Sequence, residues 1–245
     1  ALARRLSAAV RAANACGRRS RAMISVIVPV RDEPADAIAR LARFAEEGGA
    51  ELVVAGGGEG SRGARLADAV IRARGDVLFF VHADSRPPEN ALALLSAALA
   101  DGAAAGAFSL AYADGGRAMR WIAWWANCRS RALGIVFGDQ GLFCRRDAYE
   151  AAGGFRDLPV CDDLDLVRRL RRAGRFVVLP QATVTSARRY RESGAARQVL
   201  RVWRVLAGYF LGASPDRLAR WYYGGPKSAE EIRNSKHEIR NGVRS

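Results

Sequence analysis

The chain has 245 residues, half of them hydrophobic and about a quarter charged. That suits one sizeable α/β domain and excludes a disulfide-stapled miniprotein, a disordered chain and a collagen-like fibre. The formal net charge of +14 is unevenly spread, with six Arg and no acid in residues 1–22 and a moderately cationic body after them. Such a charge favours anionic partners (nucleotide diphosphate, anionic lipid, nucleic acid) without choosing among them.

Residues 1–22 read as a basic arm, since Arg11 and Asn14 interrupt what would have to be a signal-peptide core. Strand-like runs follow at 24–30, 51–55, 77–82, 106–112, 141–145 and 176–179, the first and third continuously apolar as in buried parallel strands. Helical patterns at 35–47, 62–74 and 89–100 separate the early strands, with Pro87-Pro88 and Asp101-Gly102 bounding the third helix. This β-α-β-α-β opening predicts a Rossmann-like, mostly parallel sheet with flanking helices. Further helices are expected at 118–133, 163–173 and 195–211. The first carries Trp121, Trp124 and Trp125 at a spacing that suits core packing. With Arg117, Arg120, Arg129 and Arg131 beside them, the same indoles also suit an anionic membrane surface. Residues 213–245 are a C-terminal helix and tail, and both lysines of the chain fall at its end. No apolar run approaches the ~20 residues that span a bilayer. Cys16, Cys128, Cys144 and Cys161 form no C-x-x-C pair and the chain has two His, so neither zinc site nor disulfide framework is expected and a cytoplasmic setting fits.

Ligands of open α/β sheets sit at the carboxyl ends of the strands, and polar clusters fall at those ends here. Arg31-Asp32-Glu33 follows the first strand, Gly56–Gly60 the second, and His82-Ala83-Asp84 closes the third. Gly138-Asp139-Gln140 precedes a later strand, and Cys161-Asp162-Asp163 opens a helix. Each alone reads as an ordinary turn or helix cap; five on one edge mark a site.

The series ISVIVPVRDE, GDVLFFVHADSRPP, GDQGLF, Gly153-Gly154-Phe155 followed by CDDLDLVRRL, and TSARRY before YFLGASPDRLAR resembles the family 2 glycosyltransferases of GT-A fold. It is most similar to their bacterial radical-SAM/selenodomain-associated branch. The likeness runs from about Ile24 to Tyr222 and implies a glycosyltransferase domain over 23–212. It also implies an inverting, metal-dependent transfer of sugar from a nucleotide-diphosphate donor to an acceptor hydroxyl, with a lipid-linked acceptor suggested by the aromatic helices.

On that resemblance Asp163 is the general base and Asp162 its neighbour, with Asp replacing the family's usual Glu at 162. Asp84 stands at the family's Asp-x-Asp position as ligand of Mg²⁺ or Mn²⁺, since oxygen ligation suits either ion. His82 joins it if both lie on one strand face. Pro29, Asp32, Glu33, Gly56 and Gly57 match the nucleoside-contacting turns, and Arg65, Arg188 and Arg189 are phosphate partners. Gly138, Asp139 and Gln140 match the loop at the sugar and acceptor. The family's base-contacting Asp at the end of the second strand is Ala55 here, which leaves the choice of base open. The structural alternatives are plain: Asp162 as a helix N-cap, Asp84 as a cap ahead of Pro87, the Arg pair as solvated charge. Asp165 is expected on the solvated helix surface. Expected partners are the nucleotide-diphosphate sugar, an unknown acceptor and an anionic membrane face, with no nucleic acid. A sugar nucleotidyltransferase is a competing class, but it needs a basic Gly-rich loop where this chain has Arg31-Asp32-Glu33-Pro34. A non-catalytic basic binder explains the charge and not the acid clusters.

Overall fold

The computed structural model describes residues 22–30, 34–56, 60–114 and 116–223. The apolar runs become strands β1 (Ile24–Pro29), β2 (Glu51–Ala55), β3 (Val77–Phe80), β4 (Ala105–Tyr112), β5 (Leu142–Arg145) and β6 (Phe176–Thr185). They form one sheet in the order β2-β1-β3-β5-β4-β6. β1 runs parallel to β2 and β3, and β4 parallel to β6, while β5 is antiparallel to both its neighbours. The mostly parallel sheet is as expected; the antiparallel β5 brings its N-terminal end to the edge where β3, β4 and β6 end.

The helices are α1 (Ala35–Glu47), α2 (Arg62–Arg72), α3 (Ala91–Ala100), α4 (Gly116–Leu133), α5 (Arg146–Ala151), α6 (Asp162–Ala173), α7 (Arg188–Ser193), α8 (Ala195–Phe210) and α9 (Pro215–Tyr223). Strand side chains alternate between two layers, as a period of two requires. Val26, Val28 and Phe79 pack with Leu41 of α1 and Leu92 and Leu95 of α3. Ile27, Leu78, Phe80 and Leu142 face the other way, onto Leu66 of α2 and Leu166, Val167 and Leu170 of α6. Helices on both faces bury the central strands completely, which is why β1 and β3 carry no polar residue but Ser25, itself held by Glu51 at 2.5 Å. α8 and α9 form a third, smaller cluster around Val205, Leu218 and Ala219, with Val160 from the segment before α6.

Most boundaries shift by one or two residues, and two differences bear on the site. β6 continues past Pro180 to Thr185, because Pro180-Gln181 is accommodated as a bulge: Phe108 faces Leu179, but Ser109 faces Ala182. β3 stops at Phe80, so His82 and Asp84 lie in the turn beyond it and not on a shared strand face.

Candidate active site

The ends of β3, β4 and β6, the start of β5 and the N-termini of α2 and α6 enclose a cavity of about 550 Å³. Its size is ordinary for a small-ligand site, roughly 300–1,000 Å³. Asp162 and Asp163 are its most buried acids. Cys161, in the left-handed conformation at φ 60°, turns the chain into α6, so that both carboxylates enter the first helical turn where the macrodipole favours negative charge. Asp162 is therefore the first residue inside the helix and not its N-cap, and no side chain caps this end.

One cation serves both acids. Arg62 opens α2 and grips Asp162 with both ends of its fork, Nη2 to Oδ1 at 2.7 Å and Nε to Oδ2 at 3.1 Å. The same Nη2 lies 3.1 Å from Asp163 Oδ2. The approach is close because Gly63 has no side chain: a Cβ there would run into the Arg156 carbonyl oxygen and stand 3.1 Å from Asp162 Cβ. Asp163 also accepts hydrogen bonds from the backbone N–H of Gly138 (2.7 Å, to Oδ2) and of Leu164 (2.8 Å, to Oδ1).

These contacts split the pair electrostatically. Burial works to raise the Asp163 pKa, but Arg62 and the two N–H donors reverse it, and the group is held below the ordinary carboxylate range. Burial likewise raises Asp162, and with Arg62 shared and Asp163 adjacent it stays above that range. Arg62 is held protonated: burial opposes its charge, and the two carboxylates more than compensate. Burial also pushes the Cys161 thiol beside them up to about 12.

His82 meets Arg62 as well, Nε2 to Nη1 at 3.0 Å. A metal ion on that nitrogen would stand against a guanidinium, so the expectation of His82 as a ligand does not fit this geometry. Asp84 is exposed and lines the cavity. Among the described residues no group of three His, Cys, Asp or Glu side chains could hold a metal ion. Asp84 instead fits the way Mg²⁺ is usually held, by one or two carboxylates together with substrate phosphates.

Of the remaining expected site residues, Arg65, Asp139 and Arg188 line the cavity. Gly138 contributes its backbone N–H. Gln140 does not reach the cavity: fully buried, it donates to the Phe108 carbonyl (3.1 Å) and accepts from Ser130 (3.0 Å), fixing the loop from behind. Pro29 and Gly56 end β1 and follow β2, beyond the cavity wall. Asp32, Glu33 and Gly57 lie outside the described residues, as does the side chain of Arg189. Asp165 is not solvated surface: it is 15 % exposed and paired with Arg169 at 2.6 Å.

Two further expectations are corrected on α4. Trp121, Trp124 and Trp125 are 61, 56 and 41 % exposed, so they are not core. Arg129 does not face outward with them but is buried, while Arg131 is exposed and reaches Ser109 Oγ at 2.8 Å. The helix α9, beyond residue 212, lines the cavity with Tyr222 and Tyr223.

The mannosyltransferase PcManGT from Pyrobaculum calidifontis, solved with GDP-Man and Mn²⁺, is similar over 98 % of this chain and 84 % of its own, at 18 % identity and a TM-score of 0.53. TarS from S. aureus (residues 1–349) aligns over 82 % of this chain and 70 % of its own, at 13 % identity and a TM-score of 0.47. The chain has the GT-A type of glycosyltransferase fold. No family model matches the sequence. No curated protein matches it either.

Arg62 is the site residue that sequence reasoning missed. Its one local signal is a basic residue in the first turn of a helix, where the dipole disfavours it; its carboxylate partner Asp162 lies 100 residues away.

Proposed function

We propose that the protein is an inverting glycosyltransferase of the family 2 type its motifs resemble. It takes a nucleoside-diphosphate sugar at the ends of β1–β3 and an acceptor hydroxyl at the ends of β4 and β6 and the start of β5. The observation that carries this reading is that the Asp162–Asp163 pair and Asp84 line one cavity. Their spacing across the chain suits a site with one acid for the leaving group and one for the acceptor. A neighbour of the same fold was solved with GDP-Man and Mn²⁺, which supports a nucleotide-sugar donor.

In this reading the acceptor oxygen attacks the anomeric carbon as the carbon–oxygen bond to the diphosphate breaks, and the hydroxyl proton passes to Asp163. Asp163, held below the ordinary carboxylate range, is unprotonated, and Asp162 holds Arg62 alongside. Asp84 would hold a divalent cation brought in with the donor, and such an ion supplies Lewis-acid stabilisation of the departing charge. Arg65 and Arg188, which line the cavity, would meet the diphosphate, and Gly138 and Asp139 the sugar and acceptor; the resemblance assigns Arg189 to the diphosphate as well, and Pro29, Asp32, Glu33, Gly56 and Gly57 to the nucleoside. The exposed indoles of α4 support work at an anionic membrane face, as a peripheral protein.

Titration with UDP, GDP and dTDP, with and without Mn²⁺, followed by product analysis on a donor panel, tests the reading. One nucleotide is expected to bind in a metal-dependent way, and its sugar to appear in product with inverted anomeric configuration. Polyanion binding indifferent to metal and nucleotide would instead indicate a non-catalytic basic binder. Asp163→Asn should cut turnover by at least about a hundred-fold and leave metal-dependent nucleotide binding intact; unchanged turnover removes Asp163 as the base.

A further inference from the structure

Arg129 is a charge inside the cavity that the transfer chemistry does not use. It lies in the penultimate turn of α4, only 9 % exposed, with its guanidinium 4.3 Å from the centroid of the Phe137 ring. It lines the cavity, yet its Nε has no hydrogen-bond partner among the described residues. A buried N–H left without an acceptor on a charged group is costly, because nothing replaces its lost hydrogen bond to water. Burial pulls its pKa down, and Asp139, the strongest opposing influence, does not restore it. The charge is under-compensated, while contact with the Phe137 ring holds the guanidinium in place.

Position separates this cation from the donor half. Nucleotides in open sheets bind where the strand order reverses, here between β1 and β3. Arg129 belongs to the other end of the cavity, with Tyr112 at the end of β4 and Tyr190 on α7, whose hydroxyls are 3.3 Å apart. The same cavity also has an apolar wall, made by Ile122 and Trp125 of α4 and by Val202, Trp203 and Leu206 of α8, with the two indoles 6.0 Å apart.

We infer that Arg129 is the anion subsite for the acceptor, and that the acceptor joins a phosphate or carboxylate, which forks onto Arg129, to an apolar body lying between α4 and α8. A planar, pre-oriented guanidinium suits either oxyanion. That the ligand is an acceptor rests on the transferase reading; that the corner binds an amphipathic anion does not.

The full-length protein is titrated with octyl phosphate, octanoate, octanol and inorganic phosphate, each below its micelle concentration, following the emission of the cavity indoles and binding heat. Octyl phosphate or octanoate should bind at least about ten-fold more tightly than octanol, and than inorganic phosphate, because a charge-assisted pair and the apolar wall act together. Arg129→Met should abolish the preference over octanol, Arg129→Lys should keep part of it, and metal-dependent nucleotide binding should stay within about two-fold in both. Equal binding of the anions and octanol by the unmodified protein overturns the subsite, whatever the variants do. Octyl phosphate binding untouched in Arg129→Met overturns it too, and inorganic phosphate binding as tightly as octyl phosphate removes the apolar body. Loss of all nucleotide binding, with the anion preference intact, sinks the donor reading and leaves the subsite standing.

Discussion

A single guanidinium facing two carboxylates decides the electrostatics of this site. Arg62 is 30 % exposed at the side chain while Asp162 and Asp163 are 4 and 12 % exposed, so the acids depend on it for compensation more than it depends on them. Arg62→Met should therefore destabilise the fold by on the order of 3 kcal/mol at neutral pH, the usual cost of stranding buried charge. The pH dependence follows from the shifts. With Arg62 present, Asp163 sits below its unfolded value, so its stabilising contribution is complete above about pH 4 and fades only under more acid conditions. Asp162 sits above its unfolded value and works the other way, relieved as pH falls. Without Arg62 both acids rise through burial, both prefer to be protonated when folded, and the deficit shrinks as pH falls from neutral into the acid range. Thermal unfolding of the two proteins across that range checks it; a deficit that stays constant means the acids do not need Arg62. The carboxylates themselves were legible in the sequence, because Cys161-Asp162-Asp163 places acids at a helix start where charge is favoured. Arg62 was not, because only the fold brings the start of α2 to the start of α6, and Arg129 was misread because a helix with Arg beside Trp does not reveal which Arg turns inward.

Helix starts carry the site, and their separation is set by one missing side chain. Gly63 lies in the first turn of α2, where helix propensity alone says that Ala should stabilise by about 1 kcal/mol. Contact says the reverse. A Cβ at this position collides with the Arg156 carbonyl oxygen, which is backbone and cannot swing aside, and crowds Asp162 Cβ. Gly63→Ala should therefore lower stability by about 1–3 kcal/mol, as overpacking does, and loosen the Arg62–Asp162 fork as α2 moves away. Denaturant unfolding measures the sign, and a more stable variant would show that the two helices have room to spare. At this scale most elements were readable from periodicity, since continuous apolar runs and amphipathic helices each have one solution in a layered α/β sheet. The exceptions have local causes. Pro180 looks like a strand end until the Phe108–Ser109 register shift absorbs it as a bulge. His82 and Asp84 read as strand residues because the apolar run continues through Val81, one residue past the end of β3.

The molecule as a whole is strongly cationic, at +14, and its apolar exposure is concentrated. Trp121, Trp124 and Leu133 on α4, and Leu200, Trp203 and Phe210 on α8, are all between 43 and 70 % exposed. Scattered exposed apolar residues need no explanation, but indoles grouped on two helices that also wall the cavity do. Arg117 and Arg120 stand exposed on the same helix as the tryptophans, and no helix of the described residues is long and apolar enough to cross a membrane. An interfacial mode, with rings at headgroup depth and guanidinium groups toward lipid phosphates, fits both facts. It would present the apolar cavity wall, where Trp125 and Trp203 meet, to the apolar part of a membrane-borne acceptor. The protein should then bind phosphatidylglycerol vesicles and not phosphatidylcholine vesicles at low salt, and be released between about 0.05 and 0.5 M NaCl as screening shortens. Net charge alone predicts that much, and residues 1–22 contribute six Arg of their own. The discriminating variant is therefore Trp121→Ser with Trp124→Ser, which leaves every charge in place. Vesicle affinity should fall roughly ten-fold if the indoles insert; undiminished affinity assigns the attraction to charge elsewhere on the chain and leaves the tryptophans without a membrane role.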